Sequence, residues 1–314
     1  MGIPKNAGDD LSSIRDFLRF GVTLFESHGL FYGHGTSTAF EDASVLIAHA
    51  LNLPLGAQAA LIDPAFYDAK LLHHEKSAIL ALYNQRAIEK IPVPYITHKA
   101  YFCDLAFYVN HDVLIPRSPI AELIKDQCKP YYYGPEPSKV LDLCAGSGCI
   151  GISAACYFAQ AEVTLSDISD KALAVAAKNV ADYELDDRIH LVQSDLFEHI
   201  QGTFDIILTN PPYVDAEDLG DMPEEYHHEP EIALASGMLG LDHPLKILRE
   251  AHRFLTDTGL LIMEVGNSAG HLASIFPDVD FHWVELHEGG HGVLAISQLE
   301  LEALMPLLES RLSL

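Results

Sequence analysis

From Lys139 onward the chain alternates short apolar stretches with helical ones, and no other feature constrains its fold as tightly. Residues 140–144, 163–166, 189–193, 204–209 and 260–265 are apolar enough for strands buried on both faces. Residues 150–158, 170–181 and 244–255 carry helical spacing between them. Alternation of this kind predicts an α/β fold with a mostly parallel sheet covered on both sides. Residues 281–286, the turn Glu288-Gly289-Gly290-His291-Gly292, and residues 293–297 read as a hairpin, so the last strand is expected to run antiparallel.

Residues 1–94 read as a small helical domain, 95–118 as a linking β-hairpin and 119–314 as the sheet domain. In the first, Ser12 or Ser13 caps a helix carrying Ile14, Phe17, Leu18, Val22 and Phe25 on one face. Thr38 caps a second with Ala43, Leu46, Ile47, Ala50 and Leu51 inward, and a third starts near Asp68 with Leu72, Ile79, Leu82 and Tyr83 inward. Ile91-Pro92-Val93-Pro94 is expected to break the helical pattern. Residues 120–129 resume as helix, and the Pro- and Tyr-rich tract 130–137 reads as an exposed bend.

Composition narrows the function classes. The chain is 49% apolar and 20% charged, which supports buried cores and argues against disorder. Nineteen Lys and Arg against forty-five Asp and Glu give a net charge of −26, so a phosphate backbone is repelled and a basic protein partner is suited. No apolar run nears the ~20 residues of a membrane helix. The start, Met1-Gly2-Ile3-Pro4-Lys5-Asn6, lacks a signal core, and Asn6 stands where a myristoylation motif wants Ser or Thr. Cys103, Cys128, Cys144, Cys149 and Cys156 form no CxxC pair and no zinc spacing, so they read as buried reduced thiols of a cytoplasmic protein.

Three acids stand at successive strand ends, the first on the strand itself. Asp142 precedes the turn Cys144-Ala145-Gly146-Ser147-Gly148-Cys149-Ile150-Gly151, whose glycines admit a ligand close to the backbone and to helix N–H groups. Asp142 disfavours a pyrophosphate and suits a cationic amino group. Asp167, about twenty residues on, is placed to accept both hydroxyls of a ribose. Asp195 is placed to accept from an adenine amino group, with Leu196 and Phe197 as flat apolar neighbours.

Thr209-Asn210-Pro211-Pro212-Tyr213 follows the fourth strand. Here the chain resembles the class I, Rossmann-like, S-adenosylmethionine-dependent methyltransferases whose NPPY motif acts on a planar nitrogen. Such a nitrogen is a poor nucleophile because its lone pair is delocalised. The Asn210 side-chain oxygen and the Pro211 carbonyl can accept its two hydrogens, aiming the lone pair at the methyl group and favouring the positive charge that develops. Tyr213 lies against the planar group in this reading.

Tyr95-Ile96, Phe102, Phe107-Tyr108-Val109 and Val113-Leu114-Ile115-Pro116-Arg117 resemble the protein-(glutamine-N5) methyltransferase family. Ile115-Pro116-Arg117-Ser118-Pro119-Ile120-Ala121-Glu122, Met222-Pro223-Glu224-Glu225-Tyr226-His227-His228-Glu229-Pro230-Glu231 and Gly240-Leu241-Asp242 are similar to its branch that methylates the third large-subunit ribosomal protein. Ala145 and Gly151 depart slightly from that branch. The resemblance implies glutamine N5-methylation of that basic protein, with S-adenosylmethionine as cofactor. It implies Asp142, Gly146 and Gly148 at the cofactor's methionine part and Asp167 at its ribose. Asp195 and Leu196 would touch the adenine, Phe102 would pack beside the cofactor, and Asn210, Pro211 and Tyr213 would grip the amide.

A peptide release factor is the alternative substrate. DNA adenine-N6 methylation lacks a basic groove or target-reading domain, and direct DNA binding is not expected. A non-catalytic assembly factor is opposed by the intact NPPY. Arg117 reads either as a salt bridge steadying the hairpin or as a substrate contact. No metal is expected, since adjacent His227, His228 and Glu229 seldom converge on one ion.

Overall fold

The computed structural model describes residues 3–4, 6–54 and 62–312. Met1, Gly2 and Lys5, on which the reading of the N-terminus partly rests, lie outside them. The chain forms two compact units. One takes the sequence up to Ala100 together with Val109–His111 and Pro223–His228; the other takes Tyr101–Tyr108, Asp112–Met222 and everything from Glu229. The first unit thus combines the N-terminal helices with two short pieces from later in the chain, the second of them six residues of a distant loop.

The helical unit contains α1 (Ala7–Asp10), α2 (Ile14–Ser27), α3 (Ala39–Leu51), α4 (His73–Ala87) and α5 (Val93–Thr97). A capping box starts α2: Ser13 Oγ accepts from the Asp16 N–H, and Asp16 Oδ2 accepts from the Ser13 N–H at 2.9 Å. Those donors draw the Asp16 carboxyl down to about 2. Thr38 caps α3. Phe17, Phe25, Leu46, Ile47, Ile79 and Tyr83 fill the core. Gly21 permits close packing, since a Cβ there would meet the Tyr83 ring at 2.7 Å.

Two expectations fail here. The third long helix starts at His73 and not near Asp68, so Leu72, expected inward, is left at the cap and is 60% exposed. Val93-Pro94 opens α5 instead of ending the helical region; proline in a first turn loses no intrahelical hydrogen bond.

The hairpin β1 (Lys99–Phe102) and β2 (Leu105–Tyr108) is shorter than the expected span of 95–118. Cys103 and Asp104 turn it with φ of +49° and +62°, the positive pair of a type I′ turn. Helix α6 (Ile120–Lys125) is also short. In the 130–137 tract Tyr133 is exposed, but Tyr132 and Pro137 are buried, so the tract is no fully exposed bend.

The sheet unit continues with β3 (Lys139–Leu143), α7 (Cys149–Tyr157), β4 (Glu162–Asp167), α8 (Asp170–Asp182), β5 (Ile189–Gln193), β6 (Phe204–Thr209) and α9 (Ala216–Asp221). It closes with α10 (Asp242–Glu250), β7 (Leu255–Glu264), α11 (Ala269–Ile275), β8 (Val293–Ser297) and α12 (Gln298–Leu312). The strand order is β5-β4-β3-β6-β7-β8, all parallel except β8 against β7. This is the mostly parallel α/β sheet with an antiparallel last strand expected of a class I, Rossmann-like fold. Val140, Val163, Ile206 and Ile262 bury one face, while Leu141, Leu143, Ile207 and Leu261 bury the other. Residues 281–286 form only an isolated bridge at Trp283 instead of a full strand. Leu301, Leu304 and Leu308 lay α12 on the second face at i, i+3 and i+7 spacing.

Among the described residues no helix is long and apolar enough to cross a membrane. Cys103, Cys128 and Cys149 are buried, Cys144 is half-buried, and Cys156 is exposed, contrary to the reading of five buried thiols.

Candidate active site

Strand order reverses between β4 and β6 on either side of β3, and ligands of open α/β sheets sit outside the carboxyl ends at such a point. Leu143 and Thr209 are register partners, so the glycine-rich turn after β3 and Asn210 after β6 leave the sheet side by side. The Thr209 hydroxyl donates to the Leu143 carbonyl at 2.7 Å and clamps the two exits together.

A cavity enclosing about 1010 Å³, open solvent at its mouth included, lies here. Gly146, Asp167, Asp195, Leu196 and Asn210 line it together. Gly146 has φ of +55°, and nothing lies within 4 Å of where a Cβ would stand. Its N–H donates to Asp167 Oδ2 at 2.8 Å, while the Ser169 N–H donates to Oδ1 at 2.9 Å. Burial pushes the Asp167 carboxyl up and these backbone donors pull it back.

Asn210 Oδ1 is buried and has no hydrogen-bond partner. A buried acceptor left open at a cavity wall is poised for an external donor.

The remaining predicted residues stand back from the lining. Asp142 lies inside β3, paired in register with Leu165 and Leu208, and is wholly buried. Its Oδ2 accepts from the Gly151 N–H at 2.8 Å, and Oδ1 has no partner. Burial pushes this carboxyl up to about 8. Gly148 caps α7 with φ of +77°. Phe102 is packed in the core with Phe107 and Ile150. Pro211 is buried, and the Tyr213 hydroxyl is directed to Glu264.

Arg117 forms an ion pair with buried Glu229 and also lines the cavity. Glu229 is engaged there, and His228 Nε2 lies 2.9 Å from the Glu89 carbonyl oxygen. Among the described residues no group of three or more His, Cys, Asp or Glu is placed to hold a metal ion.

The family described as Methyltransferase small domain matches residues 133–225. A ribosomal protein uL3 glutamine methyltransferase of Neisseria gonorrhoeae is 45% identical over 298 residues, 95% of this chain and 98% of its own length. Proteins with the same name are 42% identical in Francisella tularensis, over 93% of this chain and 92% of theirs, and 44% identical in Xanthomonas campestris, over 95% of both. The chain belongs to the uL3 glutamine methyltransferase family.

Likeness to that family runs through the helices as well as the sheet, since the matched length includes nearly all of both units. Several residues of this family member's site escape sequence reasoning. Buried Asn179 donates to the carbonyls of Tyr108 and Ser147 and accepts from the Tyr108 N–H, joining strand β2 to the glycine-rich turn. His243 lines the cavity, and burial lowers its pKa. Glu264 closes β7 with both oxygens engaged, burial pushing its pKa up and its two hydroxyl donors opposing that. Only Glu264 left a signal: a lone acid ending the apolar run Leu260-Leu261-Ile262-Met263.

Proposed function

We propose that this chain transfers a methyl group from S-adenosylmethionine to the N5 amide nitrogen of a glutamine in ribosomal protein uL3, in the cytoplasm. The observation that carries this reading is Asn210 Oδ1, buried and unpartnered on the cavity that Gly146, Asp167 and Asp195 also line. The relatives' shared name supports the substrate.

The cradle fits the cofactor. Open space at the Gly146 Cβ position admits a ligand to the backbone, and Asp167 retains acceptor capacity beyond its two N–H donors for ribose hydroxyls. Asp195 and Leu196 take the adenine end. Asp142, Gly148 and Phe102 support the turn and hairpin from behind. When bound, the cofactor supplies an electrophilic methyl on a sulfonium. Asn210 Oδ1 and the Pro211 carbonyl accept the two amide hydrogens, and this orients the lone pair and stabilises developing positive charge. Tyr213 borders the amide. The proton leaves the alkylated nitrogen to solvent, so no strong base is required. The helical unit recognises the protein substrate, and the net charge of −26 steers a basic one.

The test is radiolabelled methyl transfer with uL3, a release factor and duplex DNA in one competition. Label is expected on a glutamine of uL3; label confined to the release factor or to DNA overturns the substrate. Asn210→Ala is expected to lower transfer about 10²–10³-fold while cofactor affinity survives.

A further inference from the structure

Strand β7 ends in a residue that its surroundings do not favour. Glu264 follows four apolar residues of the sheet core and is itself 5% exposed, so its carboxyl costs free energy unless partnered. Both oxygens are partnered by hydroxyls. The Tyr213 hydroxyl donates to Oε1 at 2.6 Å, and the Ser118 hydroxyl donates to Oε2 at 2.6 Å. Short hydroxyl-to-carboxylate bonds of this kind are among the stronger ones.

The two donors come from two turns far apart in sequence, each with residues on the cavity. Tyr213 ends the Asn-Pro-Pro-Tyr turn, whose Asn210 and Pro212 face the cavity. Ser118 belongs to the turn Pro116-Arg117-Ser118-Pro119, and Pro116, Arg117 and Ser118 also line it. The Ser118 oxygen accepts from the Ile120 N–H at 3.2 Å, so that turn is held in its own right. Tyr213 is fixed at its backbone too, because Ser268 Oγ donates to its carbonyl at 2.8 Å. With its hydroxyl proton given to Glu264, Tyr213 presents a fixed ring and not a proton donor to its surroundings.

We infer that Glu264 is a positioning residue for methyl transfer, locking the Asn-Pro-Pro-Tyr turn to the Pro116–Pro119 turn so that Asn210 is held at the correct distance from the cofactor cradle. This rests on the transfer reading given above. It assigns Glu264 no contact with either substrate. A displacement of the turn by about 1 Å is enough to cost about 10²-fold in rate.

Glu264→Gln keeps the volume but turns one acceptor into a donor, so one of the two hydroxyls loses its partner. It is expected to lower kcat about 10–10²-fold while cofactor affinity, by calorimetry, stays within about two-fold. Tyr213→Phe removes the same bond from the other end. The double variant is then expected to be no slower than the slower single variant, since both changes act on one unit. Glu264→Asp, with its carboxylate withdrawn by one methylene, is expected to recover less than a tenth of the lost rate.

Unchanged kcat in folded Glu264→Gln overturns the inference. So does a double variant whose losses multiply, or a loss of cofactor affinity equal to the loss of rate. The cycle is run on whichever of uL3 and a release factor the unaltered protein labels. A wrong substrate therefore appears in the unaltered protein, and a wrong role for Glu264 appears only in the variants.

Discussion

Arg117 and Glu229 face each other through two parallel hydrogen bonds, Nη1 to Oε1 at 2.5 Å and Nη2 to Oε2 at 2.6 Å, with the Glu229 side chain wholly buried. Glu229 Oε1 also accepts from the Ile115 N–H at 3.0 Å. The pair thereby fastens the loop after the Asn-Pro-Pro-Tyr turn to the segment leading into Ser118. Removing the cation leaves the acid buried, so Arg117→Ala is expected to destabilise by about 3 kcal/mol. Arg117→Lys restores the charge but not the fork and is expected to fall between. Urea denaturation of the three proteins checks the order.

Arg86 holds two acids. Its Nε donates to Asp42 Oδ2 at 2.7 Å, its Nη1 to Glu225 Oε1 at 3.2 Å, and its Nη2 to the Phe31 carbonyl at 2.7 Å, with all three side chains buried. Burial pushes the Asp42 carboxyl up and Arg86 opposes this. Arg86→Met is expected to cost about 3–5 kcal/mol at pH 7. Without the cation Asp42 takes a proton more readily, so the deficit is expected to narrow at pH 5. Equal deficits at both pH values would contradict this account.

Asp142 sets a pH dependence of its own. Its folded pKa of about 8 lies above the ordinary value of ~3.9. The protonated group's contribution is fully present below about pH 4 and is lost progressively as pH rises to about 8. Asp142→Asn keeps an acceptor for the Gly151 N–H and has no proton to lose. The variant is expected to gain on the parent between pH 5 and pH 9 in denaturant titrations; parallel profiles would sink the idea.

Gly266 lies against Tyr213. Its φ is +47°, and an added Cβ would stand 2.5 Å from Tyr213 Cε2. Gly266→Ala is expected to carry a backbone penalty of about 1–2 kcal/mol and to displace the ring. Both the melting temperature and kcat should fall. Gly240→Ala, whose Cβ would stand 2.1 Å from the Tyr213 carbonyl oxygen, should be harsher because backbone yields less than a ring edge.

The parallel sheet was legible because its strands are apolar on both faces and alternate with helices; the strand order was not, since it is set by crossovers that local sequence does not record. Asn210-Pro211-Pro212-Tyr213 was legible as a candidate because the residues that the proposed transfer needs are adjacent in sequence, and the structure puts Asn210 on the cavity wall. The buried charges were not. Arg86 and Glu225 are 139 residues apart, and Arg117 and Glu229 are 112 apart, so no local pattern pairs them. Periodicity also misplaced Leu72, where one residue of helix boundary decides between core and solvent. Asp142 lies on its strand as the sequence suggests, but register with Leu208 buries it in the sheet and it does not line the cavity.

The chain enters the helical unit a last time for Pro223–His228, and Glu225 within that segment accepts from Arg86, which also holds Asp42. The helical unit is therefore written in stretches of sequence more than a hundred residues apart. Exchanging only the N-terminal hundred residues with a relative transfers the arginine and one acid and leaves the other acid behind. Moved by recombination or by design, this unit keeps its own buried charge pairing when residues 223–228 travel with it.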